Sequence, residues 1–363
     1  MNLWMHGCGK EPQKGVELLK QLGFRTVVSG PDDADIIQAA GMDAYICSGA
    51  YRGPDFRDES YLAEDVYGTK RTWFASTCPT RPEVRAYNLE RIRQMASQPG
   101  IKGILIDGAR FASPSSGETT DAFFTCFCPE CMKKARSMGF DDKAMHRAAT
   151  ALYDRLHGEK VDIRPHLTGL AEWFSFRRAA TTEHLLNFVT TVKSVNPDLK
   201  AGIYIFAPSL SDLVGQHYRD LIGKMDIVAP MLYRCYSDPN GPACLNVEIA
   251  DMLRMLEGDP QLTAEERMAL LQGLCGTLNL GGYQTPAELQ AGFPPESLRS
   301  ETAKARLMSP GSYLAPIIQL DDPELDAAIE ETVAGGADAV NFFVYQQEWV
   351  EKNAEVFERL SKA

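Results

Sequence analysis

Short apolar runs alternate with longer amphipathic segments along the whole of this 363-residue chain. The eight runs are mostly apolar, as is usual for parallel strands that are buried on both faces. Eight such repeats in a chain of this length favour closure into a (β/α)8 TIM barrel, with residues 1–363 forming a single domain. The predicted strands are Leu3–His6, Thr26–Ser29, Ala44–Ser48, Ile101–Ile106, Ala201–Phe206, Asp226–Leu232, Leu314–Leu320 and Ala339–Tyr345.

The amphipathic segments predict the helices that cover the barrel, and three stretches interrupt the repeat. Long insertions are predicted after strands 3 and 4, over residues 51–80 and 111–169, and the second contains a cysteine cluster. A further stretch, 275–312, is rich in Gly, Pro and Leu and is expected to cap one end of the barrel. The predicted helices are Gln13–Leu22, Arg81–Met95, Leu170–Val195, Leu210–Ile222, Val247–Leu256, Glu324–Ala334 and Trp349–Leu360.

A doubly wound open sheet is the alternative fold for such a series of repeats. It would be favoured by a Gly-rich phosphate-binding turn after an early strand. The first strand is followed by Cys8-Gly9-Lys10, which lacks the upstream glycine and the following Ser or Thr of a P-loop. The sequence therefore favours the barrel and gives no indication of nucleotide chemistry.

The net charge, the length of the apolar runs and the cysteine content indicate which partners and which compartment to expect. The formal net charge is −12 and no basic stripe offsets it, so neither a nucleic acid nor a membrane is expected as a partner. No apolar run has the length of a membrane span. The first residues lack both the basic leader and the sustained apolar region of a signal peptide. Nine cysteines in such a chain are expected to be thiols and metal ligands, which favours the cytoplasm. A homo-oligomer stays open as an alternative to a monomer.

Three cysteines follow one another closely in a C-x-C-x-x-C pattern, at Cys126, Cys128 and Cys131. Three neighbouring thiols indicate thiolate ligands that converge on one tetrahedral ion, for which zinc is the usual choice. A closed site needs a fourth ligand, and Cys78 in its Ser-Thr-Cys-Pro-Thr segment is the best candidate. We expect a structural Zn²⁺ that holds a long loop. The alternative is a group of reduced cysteines packed under that loop.

In an α/β barrel the active site lies at the C-terminal ends of the strands, so the residues that follow each apolar run are the candidates for function. Polar and aromatic side chains recur there. Such a rim suits a ligand rich in hydroxyl groups, because aromatic rings stack on sugar faces and polar groups bind the hydroxyls. The candidate substrate-binding residues are His6, Tyr51, Arg110, Tyr204, Tyr233, Arg234, Gln319 and Tyr345.

Asp107 is the leading catalytic candidate, because it ends the fourth apolar run. Gly108 next to it allows a sharp turn or the close approach of a substrate, and Arg110 could hold the carboxylate ionised. The alternative is a structural Asp–Arg pair. Glycoside cleavage needs a second carboxylate, for which Asp238 ranks first and Asp321 next. Asp238 could instead only form a turn, and Asp321 could only belong to a helix cap.

These residues support a family resemblance. The segments Ser76–Arg85 and Gly103–Gly108, with the cysteines that follow, resemble barrel glycoside hydrolases. The cysteines are similar in order and spacing to those of the family 42 β-galactosidases, in which zinc is held by one upstream cysteine and a later C-x-C-x-x-C. The resemblance implies a barrel that cleaves glycosidic bonds and a zinc site made of Cys78, Cys126, Cys128 and Cys131.

The sequence departs from that family at the catalytic positions. Those β-galactosidases have an Asn-Glu pair at the end of the fourth strand and a Glu nucleophile on the seventh. Here the fourth strand ends in Asp107-Gly108, and the seventh offers Gln319. Barrel α-galactosidases place one Asp on the fourth strand and another after the sixth, a scheme that Asp107 and Asp238 would fit.

The sequence therefore predicts a carbohydrate-active barrel that hydrolyses a glycosidic bond, a glycosidase of carbohydrate metabolism. Asp107 would attack or stabilise the anomeric carbon, and Asp238 would protonate the leaving oxygen. Two alternatives remain. One is a sugar-binding or regulatory protein on a degenerate hydrolase barrel, and the other is a lyase or isomerase that uses Asp107 with a catalytic metal.

Overall fold

The computed structural model describes residues 1–55, 58–117, 119–235, 244–278, 288–289 and 291–362. Its strands are β1 (Asn2–His6), β2 (Thr26–Ser29), β3 (Asp43–Gly49), β4 (Ala63–Glu64), β5 (Lys70–Arg71), β6 (Gly103–Asp107), β7 (Lys200–Phe206), β8 (Ile227–Met231), β9 (Tyr313–Leu314), β10 (Ile317–Gln319) and β11 (Ala339–Phe343). Strands β4 and β5 form a separate antiparallel hairpin, and the others form one parallel sheet. Pairing of β11 with β1 closes that sheet into a barrel of eight strand positions, as predicted.

The seventh position of the barrel is divided between two short strands. The sequence predicts one continuous strand from Leu314 to Leu320, but β9 and β10 are separated by Ala315 and Pro316. Proline has no N–H to donate to a neighbouring strand, so the ladder is interrupted there. Both pieces still pair with β8, through Ile227 with Tyr313 and through Met231 with Ile317. The break therefore leaves the barrel closed.

The helices cover the outside of the barrel and fill the two long segments that follow β3 and β6. They are α1 (Pro12–Gln21), α2 (Ala34–Ala39), α3 (Pro82–Ala96), α4 (Pro129–Ser137), α5 (Asp142–Leu156), α6 (Leu167–Val195), α7 (Leu245–Glu257), α8 (Ala264–Thr277), α9 (Glu296–Met308), α10 (Leu325–Ala334), α11 (Gln347–Lys352) and α12 (Ala354–Lys362). Within the described part of the chain, no helix combines the length and the apolar character that crossing a membrane requires.

Two helix predictions and the prediction of one irregular stretch need correction. The segment predicted as one helix from Leu210 to Ile222 forms two short 3-10 turns. Gly215 separates them with a φ of +78°, and a Cβ there would lie 2.7 Å from the backbone of Arg177. A tertiary contact therefore overrides the local helical pattern. The last predicted helix is divided at Asn353 into α11 and α12. The stretch 275–312, expected to be irregular, contains the thirteen-residue helix α9.

Two apolar layers and one satellite core hold these elements together. One layer lies between the sheet and the helices, and a smaller one fills the barrel interior around Trp4, Leu105 and Tyr204. The satellite core lies under the long segments after β3 and β6. In it the guanidinium of Arg177 lies about equally far from the rings of Phe111, Phe123 and Trp173, at 5.0 to 5.1 Å. The satellite core therefore holds the segments that follow β3 and β6.

Candidate functional site

The C-terminal end of the barrel brings one residue from each strand position together. The last residues of the strands are His6, Ser29, Gly49, Asp107, Phe206, Met231, Gln319 and Phe343. Parallel strands present their C-terminal ends on the same face, where active sites of this fold are built. Among these eight residues, Asp107 alone carries a carboxylate. Asp107 is therefore the leading candidate for a catalytic residue at this end of the barrel.

Asp107 is half-buried, and its Oδ1 accepts a hydrogen bond of 2.7 Å from the N–H of Gly108. Gly108 has a φ of +65°, a conformation that suits glycine and that turns the chain sharply at the strand end. Burial raises the pKa of Tyr204 and of Tyr233 well above the ordinary value, and the charge of Asp107 adds to both shifts. Two tyrosines thus lie within the electrostatic reach of this carboxylate.

His6, Tyr204 and Asn341 form a hydrogen-bonded chain across the barrel interior. The Nδ2 of Asn341 donates to the hydroxyl of Tyr204 at 3.0 Å, and that hydroxyl lies 3.0 Å from the Nδ1 of His6. Burial lowers the pKa of His6, although the charge of Asp107 acts in the opposite direction, so the ring is neutral near pH 7. Because Tyr204 accepts from Asn341, its proton is free to point at Nδ1. This network assigns the proton of His6 to Nε2.

Arg110 is buried and acts on Asp107 through space rather than by contact. Its guanidinium donates to the carbonyl oxygen of Phe111 and to the hydroxyl of Ser116, both at 3.2 Å. Its Cζ lies 4.8 Å from the ring centre of Phe206 and 5.7 Å from that of Phe74. Burial lowers the pKa of Arg110, while the charges of Glu248 and Asp107 raise it. The direct Asp–Arg pair considered from the sequence is not among the ion pairs of the described residues.

Glu248 is a buried carboxylate that sequence reasoning missed. It lies on α7, and its Oε1 accepts hydrogen bonds of 2.5 Å from the hydroxyls of Ser113 and Ser115. The hydroxyl of Ser113 lies 2.7 Å from that of Ser116, which connects Glu248 to Arg110. Burial raises the pKa of Glu248, opposed by these serine contacts. No local motif marks this residue, because its partners lie more than a hundred positions away in the sequence.

Arg234 is occupied by a buried ion pair. Its Nε donates to Asp322 at 2.7 Å, a second nitrogen also contacts Asp322, and another donates to the carbonyl oxygen of Phe293 at 2.5 Å. The side chains of Arg234 and Asp322 are 4% and 1% exposed. These contacts fix the loop after β8 against the loop after β10. Arg234 therefore has a structural partner at the place where the sequence suggested a sugar ligand.

Gln319 and Asp321 lie near this pair. The Oε1 of Gln319 accepts a hydrogen bond of 3.1 Å from the N–H of Cys235, so the amide at the end of β10 is anchored to the loop after β8. Asp321 follows β10 and is half-buried. Burial raises the pKa of Asp321, and the neighbouring charge of Asp322 adds to the rise. The other candidate for the second carboxylate, Asp238, lies outside the described residues.

Tyr51 and Tyr345, two of the predicted substrate-binding residues, both pack against neighbouring segments of the protein. Tyr51 is buried, and its ring centre is 4.8 Å from that of His184 on α6. The ring thus packs against the helical layer. Tyr345 is half-buried, and its ring would lie 2.6 Å from a Cβ added at Gly9, so it packs closely on the loop after β1.

The four predicted cysteine ligands come together in the satellite core. The sulfur atoms of Cys78, Cys126, Cys128 and Cys131 all lie within 4.8 Å of one another, and all four residues are buried. The Sγ of Cys78 is 3.4 Å from the Sγ of Cys128 and from that of Cys131. Thiolates around one tetrahedral ion are about 3.8 Å apart, given a metal–sulfur distance of about 2.3 Å. The cluster therefore has the geometry to hold a metal ion.

Backbone N–H groups contact two sulfur atoms of this cluster, and a helix terminus supports thiolate character at Cys128. Cys128 is the N-cap of α4, where its sulfur accepts from the N–H of Cys131 at 3.5 Å. The sulfur of Cys126 accepts from the N–H of Glu64 in the hairpin at 3.4 Å. The neighbouring thiol of Cys126 and that of Cys131 lower the pKa of Cys128 by hydrogen bonding. The cluster joins the segment after β3 to the segment after β6.

Comparisons with known proteins identify the fold. No family model matches the sequence, and no curated protein matches it. A β-galactosidase from the haloarchaeon Halorubrum lacusprofundi matches with a TM-score of 0.62 at 15% identity, over 96% of this chain and 53% of that one. A β-galactosidase from Marinomonas ef1 gives 0.61 at 11% identity, over 99% and 59%. The fold of this chain is similar to the barrels of these two β-galactosidases.

A third matching structure has nearly the same length as the region that it shares with this chain. The catalytic domain of a β-amylase from Paenibacillus polymyxa gives a TM-score of 0.56 at 10% identity, over 100% of this chain and 99% of that one. In contrast, this chain spans little more than half the length of the β-galactosidases. At sequence identities of 10–15%, these similarities concern the fold alone.

Proposed function

We propose that this protein is a glycoside hydrolase in which Asp107 attacks or stabilises the anomeric carbon. The observation that carries the proposal is the position of Asp107, the single carboxylate among the residues that end the described barrel strands, within the electrostatic reach of His6, Tyr204 and Tyr233. A neutral His6 with its proton on Nε2 offers a donor for a sugar hydroxyl. The hydroxyl of Tyr233 supplies a further donor in a buried site, where such bonds are strong.

For the acid that protonates the leaving oxygen we propose Asp321, with Asp238 as the other candidate. An acid of this kind needs a raised pKa so that it holds its proton near neutral pH. Burial and the neighbouring Asp322 raise the pKa of Asp321, which supports the assignment. Arg110 would help to keep Asp107 ionised, and Gln319 and Arg234 would fix the loops that border the substrate.

We further propose that the four-cysteine cluster binds a structural Zn²⁺. Four thiolates at tetrahedral spacing suit zinc, and all four positions are filled by the protein, as in structural rather than catalytic sites. None of the nine cysteines forms a disulfide, which suits a reducing compartment such as the cytoplasm. We propose that residues 1–363 act as one catalytic domain.

A sugar-binding protein without hydrolytic activity is the second candidate. It is favoured by Gln319, an amide that ends the seventh strand position and is held by Cys235. The lyase or isomerase alternative would need metal ligands near Asp107. Within the described residues, the one group with metal-binding geometry is the four-cysteine cluster.

Turnover of a panel of α- and β-linked aryl glycosides tests the proposal, with wild type compared with Asp107→Asn. Asp43→Asn is the matched control, because Asp43 begins a barrel strand at the opposite end and contacts only Lys102 at 3.6 Å among the described ion pairs. We expect Asp107→Asn to lose at least about a thousandfold in kcat, and Asp43→Asn to keep wild-type rates. Equal turnover by wild type and Asp107→Asn would refute the role of Asp107. Sugar binding without turnover in the wild type would favour the second candidate.

A further inference from the structure

The turn at Phe74 and Ala75 has a backbone that these residues rarely adopt. Their φ angles are +49° and +57°, and the N–H of Ser76 donates to the carbonyl oxygen of Trp73 at 2.8 Å. A four-residue turn with two positive φ angles has the pattern of type I′, in which Asn and Gly are the usual central residues. Phe and Ala have a Cβ that opposes this conformation. The turn is therefore built from unfavourable residues.

The ring of Phe74 is also poorly buried. Its residue is 52% exposed, whereas Trp73 immediately before it is 2% exposed in the satellite core. An exposed large apolar ring gains little from the hydrophobic effect. Two unfavourable features, a left-handed backbone and an exposed ring, thus coincide at one residue. Backbone strain of this kind is concentrated at functional sites.

Anchors on both sides hold the turn in place. Trp73 is buried before it, and the hydroxyl of Thr72 donates to the carbonyl oxygen of Ser76 at 2.8 Å. After it, the N–H of Thr77 donates to the carbonyl oxygen of Tyr51 at 2.9 Å, and Cys78 joins the cysteine cluster. The backbone that carries the exposed ring is therefore held on both sides.

The ring lies beside Arg110, three residues after Asp107 in the chain. The ring centre of Phe74 lies 5.7 Å from the Cζ of Arg110, and that Cζ is also 4.8 Å from the ring centre of Phe206 at the end of β7. Arg110 is 4% exposed, and its Nη1 donates to Phe111 and Ser116. Because Phe74 is 52% exposed, most of the surface that this place offers to a ligand is the aromatic ring of Phe74. Such a face suits the apolar side of a neutral pyranose ring better than a charged group.

We propose that Phe74 forms a sugar-binding subsite next to the one at Asp107, so that the natural substrate is an oligosaccharide. The inference rests on the proposed function, since it assigns the second ring of the same substrate. The turn then has a physical rationale. A residue better suited to the backbone would stabilise the fold but would remove the ring that binds the sugar.

Binding measured by calorimetry in an Asp107→Asn background tests this proposal, because no substrate is then consumed. The probes are galactose, glucose and xylose, their β-1,4-linked trisaccharides, and maltotriose. We expect at least one trisaccharide to bind about tenfold more tightly than its monosaccharide. Phe74→Asn should abolish that difference and raise Tm by about 2 °C, because Asn suits the turn. Phe74→Trp should keep the difference.

Two matched controls separate the ring from its surroundings. Ala75→Gly relieves the same turn and keeps the ring, so trisaccharide affinity should change less than twofold. Tyr87→Ala removes another exposed aromatic residue that contacts an arginine, Arg91 at 5.8 Å, but on α3, so sugar binding should be unchanged.

The outcomes distinguish the subsite from the proposed function. If trisaccharides bind no better than monosaccharides while the wild type turns over aryl glycosides, the subsite is refuted and the hydrolase proposal stands. A Phe74→Asn variant that binds trisaccharides normally, or that loses stability, would also refute the subsite, because Phe74 would then serve packing. Failure of every probe to bind, together with no turnover of any aryl glycoside, would refute both.

Discussion

Replacing Asp322 with Asn should destabilise the protein far more than replacing Glu324 with Gln. Both carboxylates contact the same guanidinium, that of Arg234, but the side chain of Asp322 is 1% exposed and that of Glu324 is 58% exposed. Removing one partner of a buried ion pair leaves an uncompensated charge and costs about 3–5 kcal/mol. An exposed pair is worth about 0–1 kcal/mol, because water already solvates both charges.

The lower end of the first range applies to Asp322→Asn. Arg234 keeps its bond of 2.5 Å to the carbonyl oxygen of Phe293, and the amide oxygen introduced by the substitution can still accept from the N–H of Glu324, as Asp322 does. We therefore expect a loss of about 3 kcal/mol. At about 2.1 cal/mol/K of unfolding entropy per residue, this corresponds to a fall in Tm of about 4 °C for the whole chain.

Urea unfolding followed by circular dichroism measures this difference, with Tm from thermal scans as a second readout. The midpoint should fall clearly in Asp322→Asn and remain near the wild-type value in Glu324→Gln. A double variant that also carries Arg234→Met should recover part of the loss, because the unpaired charge is then gone. Equal effects of the two single variants would refute the reasoning that burial sets the cost.

The remaining predictions concern the cysteine cluster and the buried Glu248. Cys78→Ser should lose one equivalent of bound metal and lower Tm, measured by elemental analysis and thermal scans, whereas Cys275→Ser, a buried cysteine outside the cluster, should keep the metal. Metal retained at full stoichiometry by Cys78→Ser would contradict the ligand assignment. Burial raises the pKa of Glu248 above 4.5, so its contribution to stability is fully present below pH 4.5 and is lost as the pH rises through the raised pKa. The Tm of Glu248→Gln relative to wild type should therefore increase from pH 4.5 to pH 8, and a constant difference would contradict the shift.

Local sequence patterns were sufficient for most of the barrel. Buried parallel strands are apolar on both faces, so the run that became β6 could be placed within two residues from its composition alone. The cluster of four cysteines was also predictable, because three of them lie on one short segment whose spacing suits a single ion. Asp107 was predicted as a strand-end residue for the same local reason.

Contacts between distant segments could not be predicted in this way. The helix expected from Leu210 to Ile222 is broken because Gly215 lies against the backbone of Arg177. The sequence suggested Arg234 as a sugar ligand, but it could not indicate the pairing of Arg234 with Asp322, 88 residues further along the chain. Glu248 carries no motif, and its role depends on serines 133 and 135 positions away.

The range of the interactions explains why some features could be predicted from the sequence and others could not. Alternation of apolar and polar residues acts within one element, so the sequence by itself determined the order of strands and helices, the strand-end position of Asp107 and the set of four cysteines. Desolvation, ion pairing and ring contacts depend on which segments meet after the barrel closes. Only the tertiary structure decided that Arg234 is paired, that Glu248 is buried, and that Phe74 is held in a left-handed turn next to Arg110.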